Sequence, residues 1–219
     1  MGKQNLCNLR LGETLGAAVS QLLDSSGVPN VLWGNYLLTV YEIPSLTNDA
    51  SFVVPDAMCV VMTVRSRSPP ISHFHLNTKD VHIYLYPQTQ VLPNISNLKK
   101  AKGQIVSASD PSLPRSRIGY GKGAFASEFN CVRVPSATCF VEACLINFVR
   151  HAQKKDYQFP QDLHYLGWAT YMIEYVYPGG YIDLDSLQPV FREFLVDGFL
   201  KNSTTLFIAA REKLMASGI

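Results

Sequence analysis

The chain lacks any apolar run near the ~18 residues needed to span a bilayer. An anchor is equally hard to find: Met1-Gly2 opens like a myristoylation start, but Leu6 stands where that motif needs Ser or Thr. Charge is scarce. Asp, Glu, Lys and Arg make up 16% of the residues, against a usual share of about 25%, which excludes a disordered segment, a coiled coil and a low-complexity scaffold. The 19 basic residues are dispersed and nearly balanced by 17 acidic ones, leaving +2. That is not the concentrated positive field of a nucleic-acid binder, and a highly acidic substrate has no landing surface. The five cysteines include no CxxC pair and follow no secretory leader, so the expectation is reduced thiols and a cytoplasmic protein. No G-x-S-x-G elbow, Walker A loop or HExxH helix occurs, which removes the common hydrolase, NTPase and zincin readings.

What remains is a 219-residue chain that is 47% hydrophobic, long enough to bury a core without disulfides or a structural metal. Leu15, Val19, Leu22 and Leu23 recur at helical spacing before the stop at Ser26-Gly27-Val28-Pro29. Val31-Leu32-Trp33 reads as a short strand and residues 35 to 42 as a helix packed on it. Phe52-Val53-Val54 reads as a buried strand, residues 59 to 64 as a second β-branched run, and 65 to 70 as a solvated connector. Residues 72 to 76 and 81 to 86 form a hairpin-length pair, with Val81, Ile83 and Leu85 on one face and His82, Tyr84 and Tyr86 on the other. Residues 87 to 127, rich in Pro and Gly, read as a long loop. Helical patterns follow over 136 to 155, 162 to 177, 186 to 200 and 205 to 215. The expected class is α+β, with a core over residues 1–134 and a helical part over 135–219, taken as one compact unit.

One spacing carries chemistry. Val31-Leu32-Trp33-Gly34-Asn35 is followed, after a short helix, by Thr47-Asn48-Asp49-Ala50-Ser51-Phe52-Val53-Val54. This resembles the nucleotidyltransferase fold, in which a strand ends in Gly-Gly or Gly-Ser and the next carries Thr-x-Asp-apolar-Asp. With Pro69-Pro70, His73-Phe74-His75 and Glu174-Tyr175-Val176, the order resembles a group of small fungal nucleotidyltransferase-like proteins over about residues 20 to 190. The resemblance implies a small mixed sheet flanked by helices. The sequence departs from the active pattern at three positions. Asn35 replaces the second small residue, Ser51 stands where the second carboxylate belongs, and His82 and Tyr84 occupy the face that would offer the third. Nucleotidyl transfer clamps two Mg²⁺ between carboxylates and a triphosphate, and one aspartate cannot do that.

The resulting expectation is a repurposed nucleotidyltransferase-like fold. It acts on a small, largely apolar metabolite as a cofactor-independent cyclase or isomerase of fungal specialised metabolism, pericyclic [4+2] closure being one reaction it suits. His75, His82 and Tyr84 are the candidate catalytic residues. Trp33, Asn35, Tyr36, Asp49, Ser51, His73 and Tyr86 are the candidate substrate contacts. No metal, no cofactor, no nucleic acid and no membrane is expected, and a homodimer is left open. Two alternatives stand beside it: a nucleotide-binding or nucleotidyl-transferring enzyme with a non-standard metal site, and a non-catalytic interaction protein. Each residue also has a plainer reading. Trp33 suits a core, Asp49 a turn cap, and the three histidines structural hydrogen bonding more than zinc ligation. Gly119-Tyr120-Gly121-Lys122-Gly123 reads as a flexible loop, because no strand leads into it as a phosphate cradle requires.

Overall fold

The computed structural model describes residues 6, 9–59, 72–76, 80–152, 160–201 and 203–218. Its architecture is mixed α+β, with seven α-helices among the described residues and a small mixed sheet. The chain divides into two compact units, residues 1–136 and 137–219.

In the first unit, α1 (Glu13–Ser25) leads into β1 (Val31–Trp33), α2 (Gly34–Val40) and β2 (Asp49–Val54). After a single 3₁₀ turn at Asp56–Cys59 come β3 (Ser72–Leu76), β4 (Val81–Pro87) and a one-turn α3 (Gln88–Val91). The strands assemble in the order β1-β2-β4-β3. β1 runs antiparallel to β2, β2 parallel to β4, and β3 antiparallel to β4. The period-2 alternation of β2 and β4 decides which side is core: Ala50, Phe52, Val54, Val81 and Ile83 are buried on one face. Fully burying a side chain such as Phe52 contributes about 2–3 kcal/mol by area alone.

A buried polar joint ties the first helix to the segments that lead into β1 and form β6. Ser20 Oγ donates to Asn30 Oδ1 at 2.8 Å, and Asn30 Nδ2 donates to Asp24 Oδ1 at 3.1 Å. Arg133 Nε donates to the Asn30 carbonyl at 2.9 Å and its guanidinium pairs with Asp24. Ser20 and Asn30 are both fully buried, so these bonds satisfy groups that would otherwise be costly to desolvate.

The stretch expected to be one irregular loop, 87 to 127, contains α3 and β5 (Ile105–Ser107). β5 pairs antiparallel with β6 (Arg133–Pro135). The run 60 to 64, the connector 65 to 70 and the turn residues 77 to 79 lie outside the described residues. Of the expected strand over 59 to 64, only Cys59 is described, closing the 3₁₀ turn.

The second unit is helical: α4 (Ala137–Ala152), α5 (Pro160–Tyr171), α6 (Pro189–Leu195) and α7 (Thr204–Ala216). The helix expected over 162 to 177 leaves α geometry at Tyr171 and finishes through a π turn (Met172–Val176) and a 3₁₀ turn (Tyr177–Gly179), because Pro178 has no N–H with which to continue the ladder. The helix expected over 186 to 200 is likewise a short α6 starting on Pro189, followed by a π turn at Val196–Leu200. Aromatic rings fill this unit, with Phe194 within 5.6 to 6.3 Å of Phe148, Phe199 and Phe207. No helix among the described residues is long and apolar enough to cross a membrane.

Candidate functional site

Strand register brings most of the candidate residues to one face. Trp33 lies opposite Ser51, Ser51 beside Tyr84, and Tyr84 opposite His73, so these four form one row across the sheet. Asp49, His82 and His75 form the neighbouring row, and Val53 and Tyr86 the next. Exposure rises along each row. Val31, Trp33, Ser51 and Val53 are buried, His82, Tyr84 and Tyr86 are half-buried, and His73 and His75 are exposed. The face is closed over β1 and β2 and opens toward β3.

Gly34 links the glycine turn to this face. Its φ of +76° is one that side chains rarely adopt, and a Cβ there would meet Ser51 Oγ at 3.3 Å and Ser51 Cβ at 3.4 Å. α2 therefore starts hard against the start of β2.

The open half of the face is an aromatic and imidazole surface. His75 meets His82 edge-on with centroids 4.4 Å apart, and His73 meets His75 at 5.1 Å. The His82 and Tyr84 rings are parallel within 6° at 6.0 Å, and Tyr84 approaches Tyr86 at 6.4 Å. His82 Nε2 faces Asp80 Oδ1 at 3.4 Å, while its Nδ1 is buried with no hydrogen-bond partner. A buried ring nitrogen without a partner is costly unless a ligand or a proton uses it.

The Asp49 carboxylate on this face is tuned from several sides. Burial raises the Asp49 carboxyl above the ordinary range, while hydrogen bonds from Ser51 and Thr47 and the nearby His82 pull it down. Ser51 Oγ donates to Asp49 Oδ1 at 3.3 Å, and Thr47 Oγ1 accepts from the Asp49 N–H at 3.2 Å. Tyr86 is pushed up to about 12 by burial first, then by the charges of Asp49 and Tyr84. Among the described residues, no three His, Cys, Asp or Glu side chains are arranged to hold a metal ion.

The candidate residues are thus not equivalent. Asp49, Ser51, His73, His75, His82, Tyr84 and Tyr86 share the face. Trp33 shares it but is 2% exposed and belongs to its sealed end. Asn35 is half-buried in the first turn of α2. Tyr36 sits elsewhere: its ring lies 5.9 Å from Phe125 and packs over Gly16 on α1.

The sequence reading missed a strap. The Gly119–Gly123 segment is neither a phosphate cradle nor a loose loop. Gly121 N–H donates to the Glu42 carbonyl at 2.8 Å and Gly123 N–H to the Thr39 carbonyl at 2.9 Å, lashing the segment to the end of α2. A Cβ on Gly121 would sit 2.8 Å from Thr39 O, Glu42 C and Ile43 O. Arg117 fastens the same strap, its Nε and Nη2 each 2.7 Å from Glu42 Oε2. Between strap, α2 and residues 44 to 47 lies an open cleft of about 670 Å³. The signal in the sequence was the alternating glycines, which meant close backbone approach instead of freedom.

No protein-family model matches the sequence, and neither a curated protein nor a solved structure does.

Proposed function

We propose that the open sheet face built by Asp49, His73, His75, His82, Tyr84 and Tyr86 is the active surface of a cofactor-independent cyclase or isomerase acting on a small, largely apolar metabolite, as expected of a nucleotidyltransferase-like fold that has lost its metal carboxylates. The observation that carries this reading is the buried His82 Nδ1 without a partner, set among aromatic rings between the carboxylates of Asp49 and Asp80.

The chemistry follows from where protons sit. With Nε2–H turned to Asp80, neutral His82 presents the Nδ1 lone pair as an acceptor. A substrate that displaces the neighbouring rings reaches this buried nitrogen, which can then take the α-proton of a ketone or enone, while the Tyr84 hydroxyl donates to the enolate oxygen that forms. Return of that proton from His82 to a different carbon completes an isomerisation with no atom gained or lost. A dienol formed this way and a tethered alkene close by [4+2] addition: two σ bonds form, three π bonds become one, and no electron leaves. The aromatic walls hold the chain in a reactive conformer, and no charged group is needed to do so.

The test is turnover of linear enone and polyene-ketone substrates by wild type and by His82→Ala, with chelator present throughout. The expected result is product formation that survives chelation and falls by about 10²–10⁴ in His82→Ala, the usual worth of a positioned acid or base. Unchanged turnover in His82→Ala, or turnover abolished by chelator, would refute the reading.

A further inference from the structure

We propose that the cleft between α2, residues 44 to 47 and the glycine strap is a separate binding site, one that takes a singly charged carboxylate on an apolar body. Its walls include Tyr36, Thr39, Thr47, Arg117, Tyr120 and Lys122, and its volume of about 670 Å³ is that of a small-molecule site.

Two observations point to a ligand. The first is Tyr36, which is 1% exposed yet has a hydroxyl with no hydrogen-bond partner, on a residue that lines the cleft. Burial and the negative charge of Glu13 hold this phenol well above its ordinary range, so at neutral pH it remains a donor that has nothing to donate to. The second is the charge balance. Arg117 is committed to the buried Glu42 carboxylate. Lys122, exposed, carries its ammonium 6.0 Å from the Tyr36 ring centroid, and a neighbouring pocket with Leu9, Gly12 and Glu13 also includes it. Among the described residues this ammonium forms no ion pair, and with the Glu13 carboxylate already on the adjoining pocket, one such charge beside one idle phenolic donor fits no more than one carboxylate. A di- or trianionic phosphate would need more than a single ammonium. The guanidinium of Arg117 lies 4.3 Å from the Tyr120 ring centroid, which pins an aromatic side wall for the apolar body.

This inference does not depend on the chemistry assigned to the sheet face. Binding of 4-phenylbutyrate and of the uncharged 4-phenylbutyramide is measured by calorimetry on wild type, Lys122→Met, Tyr36→Phe and His82→Ala, with amide chemical shifts to place the probe. Wild type is expected to prefer the acid by about tenfold, the worth of one charge-assisted hydrogen bond. Lys122→Met, at an exposed position that does not threaten the fold, should erase that preference, and Tyr36→Phe should weaken the acid by about threefold or more. His82→Ala should bind as wild type does, and shifts should centre on Thr47 and Lys122. The proposal is overturned if acid and amide bind alike, if Lys122→Met keeps the preference, or if the acid shows no saturable binding below about 10 mM.

Discussion

Asp49 of β2 stands beside His82 of β4 in the parallel register, so its carboxylate has an imidazole for its cross-strand neighbour. Here the pair is a carboxyl and an imidazole. Burial still dominates over His82 and the hydroxyls, and the Asp49 carboxyl sits above its ordinary value.

That direction sets the first expected outcome. A carboxyl raised in the folded state favours folding while it is protonated, below its unfolded value, and that contribution is lost as pH rises through the folded value. Ionised Asp49 is therefore a cost at neutral pH. Asp49→Asn should melt higher than wild type at about pH 7, with the gain shrinking to nothing near pH 3, where both states are protonated. Thermal scans at the two pH values check this; an Asp49→Asn variant less stable at neutral pH would show that the Ser51 and Thr47 bonds outweigh desolvation.

Mg²⁺ with ATP or GTP should produce no heat beyond dilution and no shift in melting temperature. The reason is positional. Ser51 and Tyr84 are the residues next to Asp49 on this face, and neither hydroxyl can replace an anionic ligand to a hard cation. Saturable binding abolished by chelator would restore the nucleotide-dependent alternative.

The row structure of this face was legible in the sequence because strand alternation has a fixed period: once β2 and β4 were placed, His82, Tyr84 and Tyr86 had to share a side. Gly34 was legible for the same local reason, being the turn between a strand and a helix. β5 and β6 were not, since three-residue strands such as Ile105–Ser107 carry too little alternation to stand out from a loop. Tyr36 was grouped with the face because it lies beside β1 in sequence, but the turn of α2 carries its side chain to a different surface, and its partner Phe125 lies far along the chain. The strap escaped for a related reason. Close approach of Gly121 to Thr39 and Glu42 is a long-range contact, and glycine spacing alone does not distinguish contact from flexibility.

The strap should prove to be a structural fastening. Glu42 is 2% exposed and holds φ at 63°, and Arg117 supplies the positive charge that offsets burying its carboxylate. Arg117→Ala leaves that carboxylate without its guanidinium and should cost about 2–4 kcal/mol. Gly121→Ala, which drives a methyl into three backbone atoms, should cost about 1–3 kcal/mol. Denaturant titration measures both. The coupling between them should be non-additive, because either change releases the same segment. Two variants that each unfold at the wild-type midpoint would mean the strap contributes nothing to the fold.

Alkaline stability reports on the other end of the face. Tyr86 ionises at about 12 in the folded chain because burial, Asp49 and Tyr84 all disfavour the phenolate, whereas an unfolded tyrosine ionises at about 10. Below 10 the neutral ring is common to both states. As pH rises from 10 toward 12 the unfolded chain ionises first, and the stability associated with neutral Tyr86 drains away. Phenylalanine cannot ionise, so Tyr86→Phe should hold its melting temperature across that interval better than wild type does. Asp49→Asn should act in the same direction through a different route, by removing a charge that opposes the phenolate and so bringing the Tyr86 transition down toward 10. Difference absorbance between wild type and Tyr86→Phe isolates that one titration from the other tyrosines. A transition that stays put in Asp49→Asn would mean that Asp49 and Tyr86 do not sense each other across the two rows.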